Sequence, residues 1–98
     1  MCRTARSGCA AVAVQGYLYA LGGCGSEGED LCSVERLSFD EQRWEAVPPM
    51  AMGRDELAAV AVGGHVVVMG GSHLVWPVRK VLDSSECLEL STHRWQAG

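Results

Sequence analysis

The sequence has a single lysine, no run of basic residues, no CxxC pair and no apolar stretch near the length of a membrane span. Each absence removes a class of function. Binding nucleic acid takes a concentrated positive field. With 8 Lys and Arg against 12 Asp and Glu and a net charge of −4, the chain is expected to bind none. A membrane span takes roughly 20 consecutive apolar residues, so no membrane partner is expected either. The N-terminal stretch MCRTARSGCAAVAVQGYLYAL is broken at Gln15 and Gly16 and lacks the continuous apolar centre of a secretory leader. The five cysteines (Cys2, Cys9, Cys24, Cys32, Cys87) are odd in number and sparse, unlike a secreted disulfide framework. Free thiols in a reducing cytoplasm are the expectation. Helical periodicity is missing as well, although the segment around Arg54 has room for one turn.

What the sequence does have is a repeat. RSGCAAVAVQGYLYALGG (6–23) aligns without a gap on RDELAAVAVGGHVVVMGG (54–71), and nine of the eighteen positions are identical. Downstream, SVERLSFDEQRW (33–44) aligns on SSECLELSTHRW (84–95), with Ser33/Ser84, Glu35/Glu86, Leu37/Leu88, Arg43/Arg94 and Trp44/Trp95 coinciding. The offset grows from 48 to 51 between the blocks, so the length change is confined to the loop between them. A period of this size marks a propeller or solenoid unit.

Each unit contains four strand-like pieces. The AAVAV runs at 10–14 and 58–62 are wholly apolar, which predicts strands buried on both faces. Gln15-Gly16 and Gly63-Gly64 then predict tight hairpins into YLYALGG and HVVVMGG. VERLSF and ECLEL supply a third strand. Trp44 opens a fourth, which Pro48-Pro49 must end because proline cannot continue a ladder. The glycine doublets 22–23 and 70–71 suit a crowded strand end where another backbone comes close.

An apolar strand ending in Gly-Gly, a "VE" strand, a tryptophan, then "PM" and an arginine resemble the kelch repeat, twice over, from Arg6 to Trp95. The match departs from the pattern at Leu37 and Leu88, where a tyrosine is usual, and at Ser38-Phe39 and Glu89-Leu90, where "DP" is usual. The resemblance implies an all-β fold of two four-stranded antiparallel propeller blades. The first repeat is expected over 6–50 and the second over 51–98, incomplete at its C-terminus. Trp44 and Trp95 are expected to pack between blades. Kelch propellers close rings of several blades, so the chain reads as a fragment, with Met1 near the place of an internal "PM" methionine like Met50.

The resemblance also implies a protein-protein interaction module. In kelch-like ubiquitin-ligase adaptors, the loops joining strands two and three and those opening each blade bind the client. The arginine that opens each blade can take an acidic peptide, because its forked donors match a carboxylate. The matching residues are Arg6 and Arg54, with Ser7 and Asp55 beside them. The variable loops are 24–31, acidic and glycine-rich, and 72–82, whose Trp76 beside Arg79 and Lys80 has the make-up of an interface anchor. The protein-binding candidates are therefore Arg6, Ser7, Arg54, Trp76 and Arg79. The expected partner is a protein client with an acidic segment, handed to a cullin-type ligase through regions outside this chain. Cytoskeletal or other scaffolding is the alternative.

Kelch-type propellers also occur in a copper-radical oxidase family. Tyr17 and Tyr19 read as packing residues, and His65, His73 and His93 have no ligand-pair spacing. Neither a carboxylate pair nor a nucleophile with its base is present. No enzyme activity, metal or cofactor is expected.

Overall fold

The computed structural model describes residues 6–75 and 77–97, with the backbone alone for Val75. Met1, Cys2 and Trp76, singled out above, lie outside the described residues. Twelve strands and no helix make up the described chain: β1 (Arg6–Ser7), β2 (Ala10–Val14), β3 (Tyr17–Leu21), β4 (Cys24–Gly25), β5 (Val34–Ser38), β6 (Arg43–Val47), β7 (Ala58–Val62), β8 (His65–Met69), β9 (Ser72–Val75), β10 (Val78–Val81), β11 (Ser85–Glu89) and β12 (Arg94–Ala97). Two antiparallel four-stranded sheets carry the fold, ordered β2-β3-β5-β6 and β7-β8-β11-β12. Two short ribbons, β1 with β4 and β9 with β10, flank them.

The hairpins form for the expected reason. Gln15 and Gly16 have φ of 53° and 81°, and Gly63 and Gly64 have 53° and 78°. Two successive left-handed residues make the tight turn whose twist matches the strands it joins. These turns, with 39–42 and 90–93, lie at one end of the blades, the turn end. The segments 22–33, 48–57 and 70–84 lie at the other, the loop end.

The two sheets share one core. Tyr19, Leu21, Val34 and Val47 of the first and Val66, Val68, Leu88 and Leu90 of the second pack with Met50 and Leu57 from the connection. The AAVAV strands are not its centre, which corrects the expectation drawn from their composition. In β2 only Ala10 is buried, and in β7 Val60 and Val62 are exposed. Both strands are sheet edges with one hydrogen-bonded neighbour each. Of the strands between partners, β3, β8 and β11 supply Leu21, Val66, Val68 and Leu88, which have no exposure at all, and β5 supplies Val34 at 2%.

The first glycine doublet has the predicted close approach. Gly23 N–H donates to Arg54 O at 2.7 Å. A Cβ on Gly22 would stand 2.7 Å from the same carbonyl, and one on Gly23 would stand 2.6 Å from Ser7 O. The end of one blade's second strand is thus pressed against the opening of the next blade. The acidic loop 24–31 starts as β4 and carries an exposed tip at 26–29. Segment 72–82, expected as a variable loop, is instead mostly the β9–β10 ribbon, in register Ser72 with Val81 and Leu74 with Arg79.

Candidate protein-binding surface

Arg6 and Arg54 open their blades at the loop end, as the repeat predicts, but their guanidinium groups turn inward. Arg6 Nη1 donates to Gly22 O and Ser33 O, both at 2.9 Å. Its Nη2 donates to Ser33 Oγ at 3.0 Å and Glu35 Oε2 at 2.9 Å. Arg54 repeats the pattern on Gly70 O, Ser84 O, Ser84 Oγ and Glu86 Oε2. The two side chains are 2% and 1% exposed. This corrects their assignment as client contacts. Each guanidinium is spent on tying the second and third strands of its own blade together, and no donor fork faces solvent. Glu86 also accepts the Ala51 N–H at 2.7 Å, so the clamp reaches the segment between the blades.

Ser7 is exposed in β1, opposite Cys24. Arg79, 38% exposed, lies on β10 and is engaged from below. Its Nη1 donates to Ser72 Oγ at 2.7 Å, and its Nη2 donates to Asp30 Oδ1 at 3.2 Å. Asp30 belongs to the first blade, is nearly buried, and also accepts Leu74 N–H at 2.6 Å. His73 Nδ1 stands 2.8 Å from Gly53 O and 3.7 Å from Asp30 Oδ2. The acidic loop of one blade therefore seats the basic ribbon of the next. Asp30 was not among the candidates. Its place at the end of an acidic loop facing a basic one was the available signal.

The ribbon stands out from this base. All four residues of β10 are exposed, Val78 at 58% and Val81 at 88%. Its outer edge has no strand beside it among the described residues. Lys80 lies between the valines, with no ion pair among the described residues.

At the turn end a second polar cluster joins the blades. Tyr19, Arg36 and Glu45 form one cross-strand row on β3, β5 and β6. Arg36 Nε donates to Glu45 Oε1 at 2.6 Å, and its Nη1 donates to Tyr19 Oη at 3.2 Å. The guanidinium carbon sits 3.8 Å from the centre of the Tyr17 ring. From the second blade, His93 brings Nε2 to 3.2 Å from Arg36 Nη1 and 3.4 Å from Tyr19 Oη. Burial and then the charge of Arg36 push the His93 imidazole below its ordinary pKa, while Glu45 acts in the opposite sense. Tyr17 and Tyr19 are packing residues, as read from the sequence, but they also build this cluster, which the sequence reading missed.

The tryptophans divide. Trp95 Nε1 donates to Pro48 O at 2.7 Å, a bond from the second blade's outer strand to the end of the first blade's. Trp44 is half-buried, and its Nε1 is covered with no acceptor among the described residues.

Antiparallel four-stranded sheets in sequential repeats, joined edge to edge through the first glycine doublet and Trp95, define a segment of a repeat-built β-propeller. The Kelch motif model matches residues 5–51. Kelch domain-containing protein 8B of Homo sapiens is 38% identical over 56 residues, which are 57% of this chain and 16% of that protein. Alpha-scruin of Limulus polyphemus is 31% identical over 97 residues, 98% of this chain and 11% of that protein. The solved structure of YjhT superposes with a TM-score of 0.78 at 18% identity, covering 95% of this chain and 27% of that one. The chain belongs to the kelch-repeat family and spans well under a fifth of the curated relatives it matches. Its fold is consistent with a protein-interaction module.

Proposed function

We propose that this blade pair works within a cytoplasmic kelch propeller that captures a protein client at its loop end, for transfer of ubiquitin by a cullin-type ligase. The observation that carries the reading is the β9–β10 ribbon, with exposed Val78 and Val81, an outer edge unpaired among the described residues, and the Lys80 cation between the valines. An unpaired edge is a template for an incoming extended segment. Two copies pairing antiparallel through β10 would set Arg79 opposite Lys80 of the other copy, a like-charge pair that opposes self-association. A client strand with an acidic residue facing Lys80 meets no such penalty. Trp76, between β9 and β10 in the sequence, remains a proposed contact.

The test is a display selection of extended acidic peptides against the chain, alongside the same peptides with Asp and Glu changed to Asn and Gln. Acidic peptides are expected to be enriched. Lys80→Glu and Trp76→Ala are each expected to weaken them by about 1–3 kcal/mol with unchanged melting. Equal binding of the neutral peptides, or indifference to Lys80→Glu, overturns the reading. Stable capture of a client that is never ubiquitinated in cells expressing the parent propeller would favour the scaffolding alternative.

A further inference from the structure

The turn-end cluster has a property that the loop end lacks: its inter-blade bond depends on a histidine lone pair. His93 Nε2 lies within reach of two groups of the first blade, Arg36 Nη1 at 3.2 Å and Tyr19 Oη at 3.4 Å. A guanidinium has donors only, so Nε2 must accept from it, and the ring proton must sit on Nδ1. We propose that His93 and Arg36 form an acid-sensitive joint between the blades, closed when the imidazole is neutral and opened when it takes a proton. Protonation at Nε2 removes the acceptor and sets two cations against each other.

The surroundings do not cancel this repulsion. From the first blade, Tyr17 and Tyr19 on β3, Arg36 on β5 and Glu45 on β6 are the titratable or charged groups at the joint. On the second blade's own turn stand Glu89, Thr92 and Arg94. Glu45 is already held by Arg36 Nε at 2.6 Å, and Glu89 Oε1 accepts the Thr92 hydroxyl at 2.6 Å. The lowered pKa of the imidazole, caused by burial and then by Arg36, agrees with a neutral closed state.

The loop end of the same interface is built on the opposite logic. There Nδ1 of His73 faces acceptors, Asp30 at 3.7 Å and the Gly53 carbonyl at 2.8 Å, so it serves as a donor and no lone pair is called on. Of these two histidine contacts, the one at the turn end is the one that a proton on Nε2 opens.

The sign follows from the direction of the shift. Because the folded pKa lies below the ordinary 6.5, the unfolded chain binds more protons between the two values. The contribution of the joint is complete above about pH 6.5 and is lost as pH falls through the folded pKa.

The repeat supplies the test variant. Gln42 occupies the equivalent turn position of the first blade with φ of 51°, against 56° for His93. His93→Gln therefore suits the left-handed backbone and cannot titrate. NMR of the ring nitrogens of His93 is expected to show the Nδ1–H tautomer at pH 7.5 and a midpoint below 6.5. Exchange of the amides at the blade contact should accelerate on acidification to pH 5.5 in the wild type and respond less in His93→Gln. Arg36→Gln is a second variant that leaves the histidine in place, and its His93 midpoint should rise toward 6.5. A wild-type midpoint at or above 6.5 overturns the proposal, as does the same acid response in wild type and His93→Gln. A His93 midpoint unmoved by Arg36→Gln overturns it too.

Discussion

The two blades are copies in their clamps and strangers along one cross-strand row. Arg6, Ser33 and Glu35 of the first match Arg54, Ser84 and Glu86 of the second down to both serine oxygens; Arg54 adds a bond from Nε to Glu86 Oε2 at 3.2 Å, where Arg6 Nε has no acceptor among the described residues. The row Tyr19-Arg36-Glu45 of the first blade, by contrast, is Val67-Cys87-Gln96 in the second. The clamp works inside each blade, so every blade needs the same one. The row faces a neighbour, so its chemistry follows what that neighbour offers. In the first blade the neighbour offers His93, and the row is polar and charged.

Breaking the clamp is expected to have the largest effect. Arg54→Ala leaves Glu86 buried without its cation, a change that costs about 3–5 kcal/mol. Arg6→Ala should fall in the same range, read by denaturant melts of each variant. If Arg6→Ala left stability unchanged while weakening a bound client, the two arginines would not be equivalent and the clamp would fail as a shared device.

The tryptophans sharpen the comparison at a smaller scale. Trp95→Phe removes the bond to Pro48 O and is expected to cost about 0.5–1.5 kcal/mol from that bond. Trp44→Phe removes an N–H that has no acceptor among the described residues, so its polar loss should be close to nil. Comparing the two in one denaturation series isolates the inter-blade bond. Smallest of all, Val62→Thr on the exposed edge strand β7 should change stability by less than about 0.5 kcal/mol. A loss of several kcal/mol there would restore the AAVAV strands to the core.

Much of this was legible in the sequence. The hairpin turns, the glycine doublet, the outer strand that contains Trp44, starting at Arg43 and not at the tryptophan, and its end at Pro48 all follow from local chemistry that acts within a few residues. The burial of β2 and β7 did not, because composition reports how apolar a strand is and not how many neighbours flank it. The role of Arg6 and Arg54 was misread for a related reason. An arginine suits a client carboxylate and an internal one equally well. The repeat itself held the answer: Ser33 and Glu35 recur with it as Ser84 and Glu86, and a residue repeated together with its partners serves the unit. His93 gave no such signal, since its partners Tyr19 and Arg36 lie 74 and 57 positions away.

Several of the fasteners that run from blade to blade end on the peptide backbone. Gly23 N–H reaches Arg54 O, Arg54 N–H reaches Leu31 O, Glu56 N–H reaches Gly8 O, and Trp95 reaches the carbonyl of Pro48. A carbonyl is the same group whatever side chain stands beside it. Couplings of this kind survive almost any substitution at the accepting residue, so blades of unlike sequence can be joined in new orders with their seams intact. A ring assembled that way is free to be recombined by duplication and exchange of whole units, while the loops on each unit go on changing independently.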